Sequence, residues 1–153
     1  LNKDAYIEVI KSLKINGENA QISWVQQESA WCIASKNVGI LANRVEDLKK
    51  YSHGEGSRYK YALKIAYCWF KIIKKLGGKK ISFAKLQKTL SGKTLVGEYV
   101  GNQKEQHIVK YNKETIIFYA VTENNSSKNC LLPEESYKIF KEFDLECAPV
   151  ETI

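Results

Sequence analysis

The chain has 153 residues, of which 44% are hydrophobic and 27% are charged, and this is the composition of a globular domain rather than a disordered segment. No apolar run approaches the roughly 20 residues that a membrane-spanning helix needs, and no secretory signal opens the chain. The 24 basic and 17 acidic residues give a net charge of +7, which favours a polyanionic partner such as nucleic acid. We expect a single domain over residues 1–153 with no membrane segment.

The residues before position 57 show mainly strand patterns. Residues 5–10 are β-branched and aromatic, which predicts a strand. Apolar and polar side chains alternate over residues 19–25, and a second apolar run at 30–35 follows a polar turn at 26–29, so these segments predict a β-hairpin. Residues 45–51 predict only a short helix.

The clearest helical pattern comes next. Apolar residues recur every three or four positions between residues 62 and 76, which gives one broad apolar face. Ser57 is the predicted N-cap, and the glycine pair at 77–78 is the predicted stop. Residues 82–90 repeat the pattern on a smaller scale, with Ser82 as the N-cap.

Beyond residue 93 the pattern changes to period two. Residues 94–100, 106–111 and 115–122 predict three strands separated by turns. Residues 133–143 begin with proline and acidic residues, which is typical of a helix N-terminus. Residues 147–153 are predicted to be extended, because a proline there resists helix. The predicted fold class is therefore α+β, with antiparallel sheets and flanking helices.

The four cysteines, the two histidines and one glycine-rich run do not form a recognisable site. No two cysteines form a Cys-x-x-Cys pair, so a zinc site has little support. Isolated thiols indicate a reducing, intracellular compartment such as cytoplasm or nucleus. His53 and His107 have no nearby ligand residues in the sequence. Residues 91–97 contain Gly-Lys-Thr, but a P-loop needs a glycine at position 87, where Gln87 stands. We therefore predict no metal-ligand cluster.

A lysine beside a tight turn gives the chemical lead. The segment Lys14-Ile15-Asn16-Gly17 lies between two predicted strands. It resembles the Lys-x-x-Gly signature of the covalent nucleotidyltransferases, which are the RNA ligases, DNA ligases and mRNA capping enzymes. By itself this short pattern also fits a surface lysine before an Asn-Gly turn.

Three further segments follow in that family's order. Ala-Ser-Lys-Asn contains Lys36, Gly-Glu-Tyr-Val-Gly contains Glu98, and an aromatic strand contains Phe118 and Tyr119. Together they resemble the adenylation domain of ATP-dependent RNA and tRNA ligases, over about residues 5 to 122. The resemblance implies an ATP-grasp-like nucleotidyltransferase domain that uses ATP with Mg²⁺ or Mn²⁺ and acts on RNA.

The resemblance also implies a role for each residue. The Lys14 amine would attack the α-phosphate of ATP and form lysyl-AMP, for which it must be uncharged, and desolvation or nearby positive charge favours that state. Asn16 and Gly17 would form the nucleotide-binding turn, with no Cβ at Gly17 in the path of the nucleotide. The remaining contacts would be Lys36 to ribose or phosphate, Glu98 to ribose hydroxyls, and Phe118 stacked on the purine.

The sequence departs from the family pattern in its later part. It lacks the downstream Glu-Gly strand that binds metal and the Lys-x-Lys strand for the triphosphate, and it has no methionine. We therefore expect an incomplete, N-terminal part of the adenylation domain that forms lysyl-AMP weakly or not at all alone. Two other interpretations stay open, a non-catalytic basic module that binds RNA and a GTP-using mRNA capping guanylyltransferase.

Overall fold

A computed structural model describes residues 6–79, 82–101, 111–127 and 129–153. The predicted α+β fold is confirmed: the described residues form a five-stranded antiparallel sheet, a two-stranded antiparallel ribbon and three α-helices. The strands are β1 (Ile10–Ser12), β2 (Glu18–Val25), β3 (Ala30–Ala34), β4 (Gly39–Ala42), β5 (Lys93–Val100), β6 (Thr115–Glu123) and β7 (Val150–Thr152). The helices are α1 (Lys60–Gly78), α2 (Phe83–Leu90) and α3 (Pro133–Glu142).

The five-stranded sheet has the order β4-β3-β2-β5-β6, and every neighbouring pair is antiparallel. The predicted β2–β3 hairpin is confirmed, and its turn is a 3₁₀ segment that ends at Ser29 with φ 47°. The sequence patterns missed β4, because only four residues pair there. In β4 the alternation is nevertheless clear, with Ile40 and Ala42 buried and Leu41 exposed.

The three helices contribute to one hydrophobic core on one face of this sheet. The predicted apolar face of α1 is confirmed, since Ile65, Ala66 and Trp69 are fully buried. Trp69 packs edge to face against Trp31 of β3, with ring centroids 5.2 Å apart. In the same core, Phe140 of α3 stacks on Phe118 of β6, with ring centroids 5.9 Å apart. The core therefore lies between the sheet and its helices, and the opposite face of β2 and β5 carries polar side chains.

The helix ends agree in part with the predicted caps. The Ser82 hydroxyl accepts a hydrogen bond from the Lys85 amide at 3.2 Å, as predicted for the cap of α2. Ser57 does not cap α1 directly, because its hydroxyl binds the Tyr59 amide and the helix begins at Lys60. The glycine pair at 77–78 forms the last two residues of α1, so the predicted stop is confirmed.

The first predicted strand is wrong in its position. Residues 6–9 are not in a strand, and β1 covers only Ile10–Ser12, because β7 is only three residues long and offers no longer partner. The extended conformation at the end of the chain is confirmed by β7. The strand predicted at 106–111 lies outside the described residues except for Tyr111. No helix in the described ranges is long and apolar enough to cross a membrane.

Candidate active site

The segment that carries Lys14 is an extended connection between β1 and β2. Lys14 and Asn16 are exposed, whereas Ile15 between them is only 7% exposed. The Ile15 side chain belongs to a small second hydrophobic cluster with Val100, Ile117 and Ala148. Because consecutive side chains of an extended segment point in opposite directions, burial of Ile15 turns Lys14 outward.

Hydrogen bonds and close packing hold this segment in place. The Leu13 amide donates to the Pro149 carbonyl at 3.0 Å, and the Asn16 amide donates to the Tyr111 hydroxyl at 3.4 Å. A Cβ atom on Gly17 would overlap the Tyr99 carbonyl oxygen and lie 2.9 Å from Cγ1 of Val100. The space beside Gly17 is thus occupied by β5, so the glycine lets β2 begin in close contact with β5.

Lys14 opens onto a cavity of about 290 Å³. The cavity is lined by Ser12, Leu13, Lys14, Ile15, Glu98 and Tyr119. The structure therefore brings two of the predicted site residues, Lys14 and Glu98, to one cavity. An amine and a carboxylate beside an aromatic ring can bind a ligand that has phosphate, hydroxyl and flat ring groups.

Tyr119 supplies the aromatic side chain of this cavity. Tyr119 is 37% exposed, and its hydroxyl is hydrogen-bonded to the Asn19 side chain. Burial raises the pKa of the Tyr119 hydroxyl, the Glu98 carboxylate raises it further, and the hydrogen bond from Asn19 opposes both effects. Tyr119 is therefore a neutral phenol at physiological pH, with its ring available to a ligand.

The structure corrects the predicted position of Phe118. Its side chain is fully buried and lies in the core between Trp69 and Phe140, with ring centroids 6.2 Å and 5.9 Å away. It does not line the Lys14 cavity and has no exposed surface on which a base could stack. Tyr119, the next residue, has the exposure that the predicted role requires.

Tyr119 faces the cavity because it lies two residues after Ile117, which pairs with Glu98 on the same face, and a β-bulge follows at this point. Val96 pairs with Ala120 whereas Gly97 pairs with Phe118, so Tyr119 is the extra residue of β6. Gly97 permits this approach, because a Cβ there would lie 2.6 Å from the Ile117 carbonyl oxygen. The strand is apolar on both faces at Ile116 and Ile117, so the sequence did not show which of the two aromatic rings faces the core.

Lys36 and Asn16 lie near the cavity without lining it. Lys36 is exposed in the turn between β3 and β4. The pairing of Ala34 with Gln21, and of Asn19 with Glu98, puts that turn at the same end of the sheet as the cavity. Lys36 does not line the cavity, however. The structure therefore brings Lys36 to the same end of the sheet as Lys14 without placing it in the cavity.

Sequence reasoning did not identify several residues that build the site. Asn19 shares the polar face with Glu98 and accepts a hydrogen bond from the Gln21 side chain at 2.8 Å. Ile15 anchors the Lys14 segment, and its only signal in the sequence is its apolar character between two polar residues. Across the described part of the chain, no three histidine, cysteine, aspartate or glutamate residues lie close enough to hold a metal ion.

Comparison with known proteins gives similarity at the level of the fold. No family model matches the sequence, and no curated protein matches it. Among solved structures, an archaeal ATP-dependent RNA ligase has a TM-score of 0.59 at 10% identity, over 95% of this chain and 32% of that one. A Naegleria gruberi RNA ligase with PPi has a TM-score of 0.61 at 13% identity, over 94% of this chain and 36% of that one.

These similarities extend over nearly all of this chain and only about a third of the ligases. Another structure of the Naegleria gruberi RNA ligase, a mutant with ATP and Mn, has a TM-score of 0.61 at 12% identity. One of these structurally similar ligases was therefore solved with ATP and a divalent metal ion. At such low identity the comparison concerns architecture, and the chain has the α+β fold seen in the nucleotidyltransferase domain of ATP-dependent RNA ligases.

Proposed function

We propose that this chain is the N-terminal part of the adenylation domain of an ATP-dependent RNA ligase and that Lys14 forms the covalent bond to AMP. The observation that supports this proposal most directly is the cavity that Lys14 shares with Glu98 and Tyr119, within a fold similar to that of RNA ligases. This chain spans only about a third of the length of those ligases. RNA end joining by the whole protein is therefore also a proposal.

The proposed step is a displacement at the α-phosphorus of ATP. The uncharged Lys14 Nζ attacks phosphorus, a nitrogen–phosphorus bond forms, and the bond from that phosphorus to the bridging oxygen breaks. Pyrophosphate leaves with the bonding electron pair, and the amine releases one proton to solvent. The product is a phosphoramidate, from which AMP passes to the 5′-phosphate of an RNA end.

The other residues of this edge bind and orient the nucleotide. Glu98 accepts hydrogen bonds from the ribose hydroxyls, and the Tyr119 ring, in place of Phe118, stacks on the purine. Lys36 and Asn16 contact the outer part of the nucleotide as point donors. Glu98 is the one carboxylate that lines the cavity in the described residues, so a bound Mg²⁺ or Mn²⁺ would take most of its ligands from ATP and water. We assign no step to a metal.

Covalent labelling tests the proposal. The chain is incubated with α-labelled ATP and Mn²⁺, and modified peptides are identified by mass spectrometry. We expect a low yield of adenylated Lys14, in a bond that is stable in alkali and cleaved in acid. Lys14→Ala abolishes this adduct, whereas Lys11→Ala, a matched change of an exposed lysine three residues away, retains it. An adduct that persists in Lys14→Ala contradicts the proposal.

Two parallel reactions separate the other interpretations. If GTP and not ATP labels Lys14, the chain belongs to a capping-type guanylyltransferase. If neither nucleotide binds or labels while RNA binding persists, the chain is a non-catalytic basic module. The net charge of +7 favours RNA binding under all three interpretations, so RNA binding alone does not distinguish them.

A further inference from the structure

The positive charge of the chain is concentrated in one segment. Residues 57–97 contain eleven of the 24 basic residues and none of the 17 acidic residues. The rest of the chain therefore has 13 basic and 17 acidic residues and is net negative. This segment forms α1, α2 and most of β5, so the charge is a property of the helical layer rather than of the whole surface.

Within this layer, the lysines of α1 lie along one face of the helix. We call this face the lysine stripe, and it consists of Lys60, Lys64, Lys71, Lys74 and Lys75. Their spacings of 4, 7, 3 and 1 keep them within about 100° around a helix of 3.6 residues per turn, and they extend over about 22 Å. Tyr67 lies on the same face, between Lys64 and Lys71.

The fold fixes the direction in which the stripe points. The opposite face of α1 packs its buried side chains, among them Ile65 and Trp69, against the sheet. The stripe therefore faces outward, with Lys71, Lys74 and Lys75 exposed. The Lys14 cavity opens on the other face of the sheet, at Glu98 and Tyr119, so the stripe is a separate surface.

Acidic residues from other segments form ion pairs with lysines of the stripe. Lys60 lies 3.4 Å from Glu55, whose side chain is 92% exposed, and Lys71 lies 3.6 Å from Glu114. Exposed ion pairs of this kind contribute about 0–1 kcal/mol, so a polyanion can displace either carboxylate at low cost. Five lysines lie within 16 residues of α1, and residues 57–97 contain no acidic residue, so the stripe is basic.

The chemistry of α1 favours a nucleic acid over a membrane. A helix that lies on a bilayer exposes apolar side chains next to its basic ones. The apolar face of α1 is instead buried in the core, and the aromatic side chain on the stripe, Tyr67, has its hydroxyl 3.0 Å from Nε2 of His53. Lysines one turn apart beside a tyrosine suit a phosphate backbone and its bases.

We infer that the lysine stripe binds the phosphate backbone of an RNA strand, at a distance from the RNA end that reacts at Lys14. The choice of RNA as the partner rests on the proposed function. Binding of a phosphate backbone is inferred from the lysine stripe alone. The stripe binds strands of any sequence, because phosphate contacts carry no base information.

Two variants with the same change in net charge test the inference. In the stripe variant, Lys64, Lys71 and Lys75 are replaced with Gln; in the control variant, Lys11, Lys138 and Lys141, which are exposed on β1 and α3, are replaced with Gln. Binding to a fluorescent single-stranded RNA with blocked ends is measured by anisotropy. We expect the affinity of the stripe variant to fall about tenfold or more and that of the control variant to change little.

The salt dependence gives a second measure of the same contact. The slope of log affinity against log salt concentration falls by about 2 in the stripe variant, because each lost contact to a single strand removes about 0.7. Equal losses in the two variants, or an unchanged stripe variant, overturn the inference. Selective binding of DNA of the same sequence, or of phosphatidylserine vesicles in place of RNA, also overturns it.

This test is independent of the test of the proposed function. The stripe variant keeps all residues of the Lys14 cavity, so we expect it to form the ATP-derived adduct with the same yield as the unmodified chain. Loss of the adduct in Lys14→Ala with no effect of the stripe variant on RNA binding refutes only the inference. If the adduct persists in Lys14→Ala while the stripe variant loses RNA affinity, only the proposed chemistry at Lys14 is refuted.

Discussion

At the scale of single residues, neighbours in the sequence serve different surfaces. Lys14 and Ile15 are adjacent, yet the first is exposed at a polar cavity and the second is buried in a small cluster. Phe118 and Tyr119 are adjacent as well, and one belongs to the core and the other to the cavity. Each side chain that lines the cavity is therefore next in sequence to a buried side chain that holds the backbone in place, so a change in packing would also move the cavity.

Gly17 offers the most direct test of that link. Gly17→Ala would force a Cβ against the Tyr99 carbonyl of β5, so we expect the free energy of unfolding to fall by about 1–3 kcal/mol. Urea denaturation measures this change. Gly54→Ala is the control, because a Cβ on Gly54 meets no atom within 4 Å. Equal stability of the two variants would contradict the close contact between β2 and β5.

The pair Phe118 and Tyr119 separates stability from ligand binding. Phe118→Ala removes a fully buried ring, so we expect it to lower the free energy of unfolding by about 3–5 kcal/mol. Tyr119→Ala removes a partly exposed ring, so we expect it to lower the free energy of unfolding by about 1 kcal/mol or less. We expect the same variant to lose nucleotide affinity by fivefold or more. Fluorescence titration with a ribose-labelled ATP measures the affinity.

A matched substitution isolates the role of the Tyr119 ring. Tyr119→Phe keeps the aromatic surface and removes only the hydroxyl, so we expect it to retain most of the nucleotide affinity. If Phe118→Ala were to fold normally and lose nucleotide binding, while Tyr119→Ala bound normally, the assignment of the two rings would be reversed.

At the scale of elements, length decides how well the sequence predicts structure. The long α1 and the hairpin of β2 and β3 were predicted because many residues repeat one period. The three-residue β1 and four-residue β4 were misplaced or missed, because their extent depends on the strand beside them. The end of α1 was predicted as well, because the glycine pair directly follows the last apolar residue of the helical period and Gly78 is the last helical residue.

A short 3₁₀ helix over Val45–Lys50 depends on one carboxylate. The side chain of Asp47 accepts hydrogen bonds from the amides of Asn43 and Arg44, at 2.8 Å and 3.0 Å. These hydrogen bonds, first that from Arg44, lower the pKa of Asp47 below its ordinary value of 3.8. Because the folded state favours the charged form, the stabilisation is complete above about pH 4 and is lost as the pH falls through the lowered pKa.

The corresponding prediction concerns the pH dependence of stability. Asp47→Ala is less stable than the unmodified chain at neutral pH, and we expect this difference to shrink progressively below about pH 4. Thermal unfolding across a pH series measures it. Glu46→Ala removes the adjacent carboxylate without removing the two hydrogen bonds to Asp47. A stability difference for Asp47→Ala that is independent of pH would contradict the proposed origin.

At the scale of the whole molecule, one core supports two surfaces of different character. The helices bury their apolar faces against the sheet and expose lysines on the outside, while the polar face of the sheet holds the Lys14 cavity. The fold class and the position of the basic segment follow from sequence periodicity and charge. The cavity itself does not, because its lining comes from three segments that are distant in the sequence, at residues 12–15, Glu98 and Tyr119.

The thiols report on the integrity of this core. Cys68 lies on α1 with 2% exposure, and burial, with a smaller effect of Glu114, raises its pKa to about 12. Cys130 is exposed. We expect iodoacetamide at pH 8 to modify Cys130 in the folded protein and Cys68 only after unfolding, because the thiolate is the reactive form. Peptide mass spectrometry checks the order, and equal rates would contradict a closed core.

The bulge at Tyr119 marks the position where β6 can change its length by one residue. Phe118 and Val121 are three positions apart and both point into the interior, which an unbroken pleat would forbid. Losing one residue between them would leave a single residue between two inward-facing side chains, which is the spacing of a regular strand, so the side chains that follow would keep their orientation. Homologous sequences should accordingly differ in length by one residue here more readily than elsewhere in β6, where a deletion would reverse the side chains that follow.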